Sequence, residues 1–246
     1  MIDHKLCKTT FFYIPPWPCP ACKQGTIQSV KAGESPFRHW PDTGVVHGID
    51  EGAIERWDDY GVFSATLRCS SYQCQQGIAV IGDYSTNLVS SHPSYEIERK
   101  YEIRDIHPAI LLIDVPNATP GPIKAALSSS FSLYWRDPQA CAARLRTAVE
   151  GVVDHLGPPR KARSKFISLG TRLNNLKFQH PELFEAADVL RHVGNDGAHG
   201  DAIDRDRLLA SYELFEIELR QLFADDASRR RALITKLRPQ KSDGSQ

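Results

Sequence analysis

RHVGNDGAHG, residues 191–200, places one Arg, two His, an Asn, an Asp and three Gly in ten positions between two amphipathic runs. How this stretch is read decides where one helix stops and the next begins. Gly194 is suited to end a helix, because a left-handed residue there satisfies orphan carbonyls. Asn195 and Asp196 tolerate the same region, and Gly197 completes a tight turn. On this reading a helix over about 181–193 stops here. The final helix, about 205–224, starts just beyond, with Asp201 or Asp204 as its N-cap. A turn accounts for Gly194, Asn195, Asp196 and Gly197 but not for Arg191 or His199. The partial positive charge at the start of the last helix would favour a neutral His199 imidazole, or a bound phosphate, beside it.

Outward from this stretch, the C-terminal half shows helical periods. Residues 121–134 form a short first helix with Pro122 near its start. Asp137-Pro138 supplies an N-cap followed by Pro at the first helical position. Cys141, Leu145, Val149, Val152, Val153 and Leu156 then follow the three-four spacing of one buried face, and Gly157 with two prolines stops the helix. A third helix is expected over about 164–176, with Phe166, Leu169, Leu173 and Leu176 inward. A fourth carries Leu183, Phe184, Ala187 and Leu190, and the last carries Leu208, Leu209, Tyr212, Phe215, Leu219 and Leu222. Together these predict a helical bundle over residues 119–227. Arg229, Arg230 and Arg231 open a basic tail, 228–246, that reads as disordered. Arg146 and Glu150 stand four apart on helix 137–156 and share a face. They read either as a solvated ion pair or as a brace for the GNDGAH stretch.

The texture changes near residue 118, where DVPNATPGP (114–122) marks a linker. Before it, YGVFSATLRC (60–69), GIAVIGDYS (77–85) and YEIERKYEIRDI (95–106) alternate like strands. Two cysteine pairs flank them. WPCPACKQG sets Cys19 and Cys22 two residues apart with Gly25 beyond, and LRCSSYQCQQG sets Cys69 and Cys74 four apart with Gly77 beyond. Each resembles a knuckle, in which a strand enters a turn, two thiolates point inward and a Gly lets the chain fold back. Two knuckles supply the four sulfurs that tetrahedral zinc prefers. The expected fold class is therefore α+β. A small β-rich zinc-ribbon-like domain, 1–118, with a long insertion between the pairs, precedes the all-α bundle. The metal would be structural, since four Cys leave no open position for catalysis. Unmetallated thiols, or a redox pair at Cys19 and Cys22, remain the alternative. His39 and His47 could replace a ligand but read as loop histidines; Cys141 reads as core, and Cys7 has no evident partner.

Bulk composition narrows the function classes. The 246 residues are 41% hydrophobic and 24% charged, ordinary for a folded protein with a sizeable core. Formal net charge is zero, so no whole-protein field predicts a nucleic-acid or membrane partner. Residues 1–118 carry 10 Lys+Arg against 14 Asp+Glu, whereas residues 119–246 carry 20 against 16. A phosphate-bearing partner is thus sought on the second half. No apolar run approaches the ~18 residues of a spanning helix. The N-terminus, acidic and broken by Pro-Pro, lacks the pattern of a signal peptide. A cytoplasmic protein with reduced cysteines is expected, without membrane contact.

HPAI near residue 107, PNATPGPI, ARLRTAVEGVVDHLG and LRHVGNDGAHG occur in an order that resembles a family of helical domains of unknown function found in restriction-system and phage-defence proteins. That family is grouped with the HEPN superfamily (higher eukaryotes and prokaryotes nucleotide-binding). The resemblance covers about residues 107–224, and Cys knuckles are a frequent N-terminal companion. It implies metal-independent RNA cleavage at a homodimer interface, where two copies of an Arg–His motif face each other. His199 would be the acid/base, Asn195 a polar positioner and Arg191 the phosphate clamp, with Arg146 and Glu150 in support. Gly194 occupies the place where the catalytic motif carries its Arg. A second class of function is therefore carried alongside: a non-catalytic dimerisation and RNA- or nucleotide-binding module with a structural zinc docking domain. A zinc-ribbon DNA-binding accessory is a third, disfavoured by the acidic balance of the first half.

Overall fold

A computed structural model describes residues 4–30, 35–41, 60–91, 94–158, 160–162, 165–199 and 202–224. After a 3-10 turn, His4–Cys7, come β1 (Thr10–Phe11), β2 (Ile27–Ser29), β3 (Phe37–Pro41), β4 (Tyr60–Cys69), β5 (Gly77–Ser91) and β6 (Ser94–His107). These build one antiparallel, curled sheet in the order β1-β6-β5-β4-β2. β3 also pairs with β4, opposite Gly61–Ala65, while β2 takes its Leu67–Cys69 end. Alternation along β4 turns Phe63, Ala65, Leu67 and Cys69 inward, as period-2 patterning requires. β5 runs longer than its alternating stretch indicates, continuing past residue 85 to Ser91, where it pairs with the start of β6, while β6 keeps close to the expected 95–106. Their register shifts at Ile81/Gly82. A side chain at Gly82 would meet the Glu102 carbonyl and the Phe63 ring, so the bulge needs glycine.

The helices are α1 (Gly121–Leu133), α2 (Pro138–His155), α3 (Leu169–Leu176), α4 (Pro181–His199) and α5 (Arg205–Phe223), with a small hairpin, β7 (Lys161–Ala162) and β8 (Lys165–Phe166), before α3. Asp137 caps α2 by accepting from Ala140 N, and Asp204 caps α5. Gly157, at φ +100, leaves α2 through the left-handed region. The mixed architecture, sheet first and helices second, matches the α+β expectation.

Two expectations about the helices are corrected. The third helix begins at Leu169, not 164, because Ser168 accepts from Thr171 N and caps it there. Phe166 lies in β8 and is 74% exposed rather than inward. More consequentially, residues 191–199 are not a turn: α4 continues unbroken to His199. Gly194 and Gly197 face α2 at close range. A Cβ on Gly194 would collide with Arg146 Cβ and meet the Ala142 carbonyl at 3.1 Å. On Gly197 it would lie 2.5 Å from the Gln139 carbonyl and 2.9 Å from Ala142 Cβ. The glycines are there so that two helices can touch, and the packing offsets their poor helix propensity.

The sheet and the helices share one hydrophobic core. Trp17, fully buried, meets Trp135 edge-on at 6.5 Å and donates Nε1–H to the Leu6 carbonyl. Tyr134 donates to the Cys7 carbonyl at 3.1 Å. Lys23 pairs with Asp114 at 3.1 Å, and Arg136 pairs with Asp105. Cys7 and Cys141 are both buried, Cys141 beside Ser130 and Tyr212. Among the described residues no helix is long and apolar enough to cross a membrane. The tail 228–246 and His47 lie outside the described residues.

Candidate metal centre and the α4 stripe

The strands bring the two cysteine pairs together despite the 46 residues between them. β2 pairs with the end of β4 through Ile27↔Cys69, so the segment after Cys22 lies beside the segment entering Cys69. Ser70 N donates to the Thr26 carbonyl at 2.8 Å, and Thr26 N donates to Ser70 Oγ at 3.0 Å. The knuckles are pseudo-equivalent. Each second cysteine is followed by a residue in the left-handed region, Lys23 at φ 58 and Gln75 at φ 51. Cys19 N donates to the Gly25 carbonyl and Cys69 N to the Gln76 carbonyl.

All four Sγ atoms lie within 4.8 Å of one another. Cys19 and Cys74 are separated by 3.7 Å and Cys22 and Cys69 by 3.6 Å. A regular tetrahedron of sulfurs about 2.3 Å from a central ion has edges of about 3.8 Å. The donor set and spacing therefore fit a tetrahedral, thiolate-bound metal ion. Backbone N–H groups point at the sulfurs: Gly25 N to Cys22 at 3.4 Å and Ser71 N to Cys69 at 3.3 Å. The N–H groups of Gly25 and Gln24 hold the Cys22 thiol down at about 6. Burial pushes Cys69 up to about 12. Four thiols so close cannot all ionise unaided, and a divalent cation removes that conflict. The two glycines differ in role. A Cβ on Gly25 would sit 2.5 Å from Cys69 Sγ, whereas at Gly77 nothing lies within 4 Å. His39 is no ligand: it sits on β3 with Nε2 3.0 Å from the Tyr101 hydroxyl.

In the helical half, Arg191, Asn195 and His199 fall four apart along α4. They form a stripe on one helix rather than flanking a turn between two helices. At 1.5 Å per residue the ends of this stripe are about 12 Å apart. Arg191 is half-buried and donates Nε–H to Asp188 at 2.9 Å. Asn195 is half-buried and His199 is exposed. Within one chain, Arg191 and His199 are not brought together. Arg146 reaches this region from α2, its Cβ against Gly194 and its guanidinium 3.3 Å from Glu150. Its Nε is buried with no hydrogen-bond partner. The i, i+4 ion pair was legible in the spacing. The seating of Arg146 on Gly194 was not, since it arises from the crossing of α2 and α4.

Residues 128–240 match a family model described as Domain of unknown function (DUF4145), and residues 10–106 match another described as Domain of unknown function (DUF8608). Each covers less than half of the chain, and the second contains the four-cysteine unit. No curated protein and no solved structure matches the chain.

Proposed function

We propose that this chain is a HEPN-like, defence-associated module that dimerises and binds RNA or nucleotide phosphates without cleaving them. Its zinc-ribbon-like N-terminal unit serves as a docking platform held by one structural zinc. The observation that carries the binding reading is the α4 stripe. It presents Asn195 and His199 toward solvent-accessible space but leaves Arg191 paired to Asp188, about 12 Å along the helix from His199. Groups so spaced suit successive phosphates better than a single reacting one. Zinc is favoured for the cysteine centre because four thiolates in a tetrahedron suit it and leave no vacant position for chemistry. The defence setting, the homodimer and a reducing cytoplasmic location rest on the resemblance and the cysteine usage.

A second reading, metal-independent endoribonuclease, is favoured by one feature: His199 is exposed on the last turn of α4. A second copy could bring Arg191 or Arg146 to it across a dimer interface. One experiment separates the two. Full-length protein and its His199→Ala variant are incubated with structured RNA in chelator-treated buffer, while mobility shift and light scattering follow binding and mass. The proposal expects a dimer that retards RNA without shortening it. Arg191→Ala should lower the slope of log affinity against log salt by about one. Cleavage by the wild type that His199→Ala abolishes would overturn the binding reading in favour of the nuclease. Elemental analysis should find one zinc per chain, lost in Cys19→Ser with Cys69→Ser.

A further inference from the structure

A cavity of about 490 Å³ lies where the N-terminal 3-10 turn and the start of β1 face the first turns of α5. It is distinct from both the cysteine centre and the α4 stripe. Its walls carry three cations, Lys5, Lys8 and Arg205, and two carboxylates, Asp206 and Glu213, around the buried Tyr134. Its volume is that of a small-molecule site, and its position between two structural units is where such sites concentrate.

Arg205 is the unexplained group. It is half-buried, and one guanidinium nitrogen donates to the Trp135 carbonyl at 3.1 Å. Its Nε is buried without a hydrogen-bond partner. Among the other arginines described at a comparable depth, Arg146 has Glu150, Arg172 has Asp154 and Arg191 has Asp188, while Arg68 on β4 donates to the Gln75 side-chain carbonyl and lines no described cavity. Arg205 makes no ion pair with a carboxylate among the described residues, although Asp206 is its neighbour in the chain. A partly desolvated guanidinium without a counter-charge is costly, and its planar fork matches a phosphate bidentately. Lys8, exposed at the rim, adds a point charge on the same side of the chain junction. Tyr134 is already committed, since its hydroxyl donates to the Cys7 carbonyl at 3.1 Å.

We infer that this cavity binds a small phosphomonoester whose organic part carries hydroxyl groups, with Arg205 as the phosphate anchor. The two carboxylates decide the second half of that assignment. Inorganic phosphate would bring like charge toward Asp206 and Glu213, with only its own P–OH groups to offer them. A sugar phosphate offers hydroxyl donors that carboxylates accept strongly. The occupied site would tie the 3-10 turn to α5.

The test is calorimetric titration of the metal-loaded full chain with ribose 5-phosphate, inorganic phosphate and ribose. Ribose 5-phosphate is expected to bind more tightly than inorganic phosphate, and ribose not at all. Arg205→Met should weaken ribose 5-phosphate binding by about tenfold or more, the loss of a charge-assisted contact. Lys8→Ala, an exposed change that leaves folding alone, should also weaken it. Asn195→Ala should leave it intact, which keeps this site separate from the α4 reading. Absence of binding by ribose 5-phosphate at millimolar concentration overturns the inference. So does binding no tighter than that of ribose, or binding unchanged in both Arg205→Met and Lys8→Ala.

Discussion

Gly25 shows how much one hydrogen atom in place of a methyl group decides. The chain must fold back so closely that a Cβ would sit 2.5 Å from Cys69 Sγ, while the Gly25 N–H donates to Cys22. Gly25→Ala should therefore lower metal affinity by about 10- to 100-fold, the usual effect of disturbing groups that orient the ligands. A competition titration against a chromogenic chelator would measure it. Gly77→Ala serves as the control and should bind normally, because nothing lies within 4 Å. The cysteines were legible from their spacing; the inequality of the two glycines was not, since it depends on which knuckle the other strand crosses. A second residue-scale case is Glu218, 5% exposed on α5 with Oε2 unpartnered. Burial raises its carboxyl above the usual range, and Glu182 adds repulsion. A group with a raised folded value contributes stability that is full below its unfolded value and is lost as pH rises through the folded one. Glu218→Gln, which resembles the protonated form, should stabilise the fold at pH 7 by on the order of 1 kcal/mol. Near pH 4 it should change little. Urea denaturation at the two pH values checks both the sign and the window.

At the scale of elements, α4 is where local chemistry and packing disagree. Gly-Asn-Asp-Gly is turn chemistry, and an isolated peptide of that sequence has every reason to stop a helix. The helix persists because α2 lies against it, and only glycines let the two backbones come so near. In an exposed helix Gly→Ala gains about 1 kcal/mol. At Gly194 the sign should reverse, with Gly194→Ala destabilising by about 1–3 kcal/mol through overpacking. Thermal melts of this variant beside Ala198→Gly, at an exposed position of the same turn, would show the contrast. An increase in Tm for Gly194→Ala would contradict the close α2–α4 approach. The same continuity changes the candidate site, because Arg191, Asn195 and His199 become a stripe along a rod. The caps Asp137 and Asp204, by contrast, were legible because a capping side chain acts on its own first turn.

For the whole molecule, the four-cysteine unit and the helices are not independent. Trp17 stands two residues before Cys19, is fully buried, and packs against Trp135 at the end of α1. Lys23, next to Cys22, pairs with Asp114 in the linker. Stripping the metal should therefore shift tryptophan emission to longer wavelength and lower the main melting transition by about 10 °C, the equivalent of a few kcal/mol for a chain of this size. An unchanged Tm would mean that the cysteine unit stabilises only itself. By itself the sequence determined the order of sheet and helices, the Asp caps of α2 and α5 and the four cysteines that could hold a metal ion, because periodicity, capping and ligand spacing act over a few residues. Only the tertiary structure decided that GNDGAH is helix, that Gly25 and not Gly77 is sterically required, and that Arg205 lines a cavity while pairing with no carboxylate among the described residues. Each of those depends on which distant segment arrives at the residue, and that is set by packing of the whole chain.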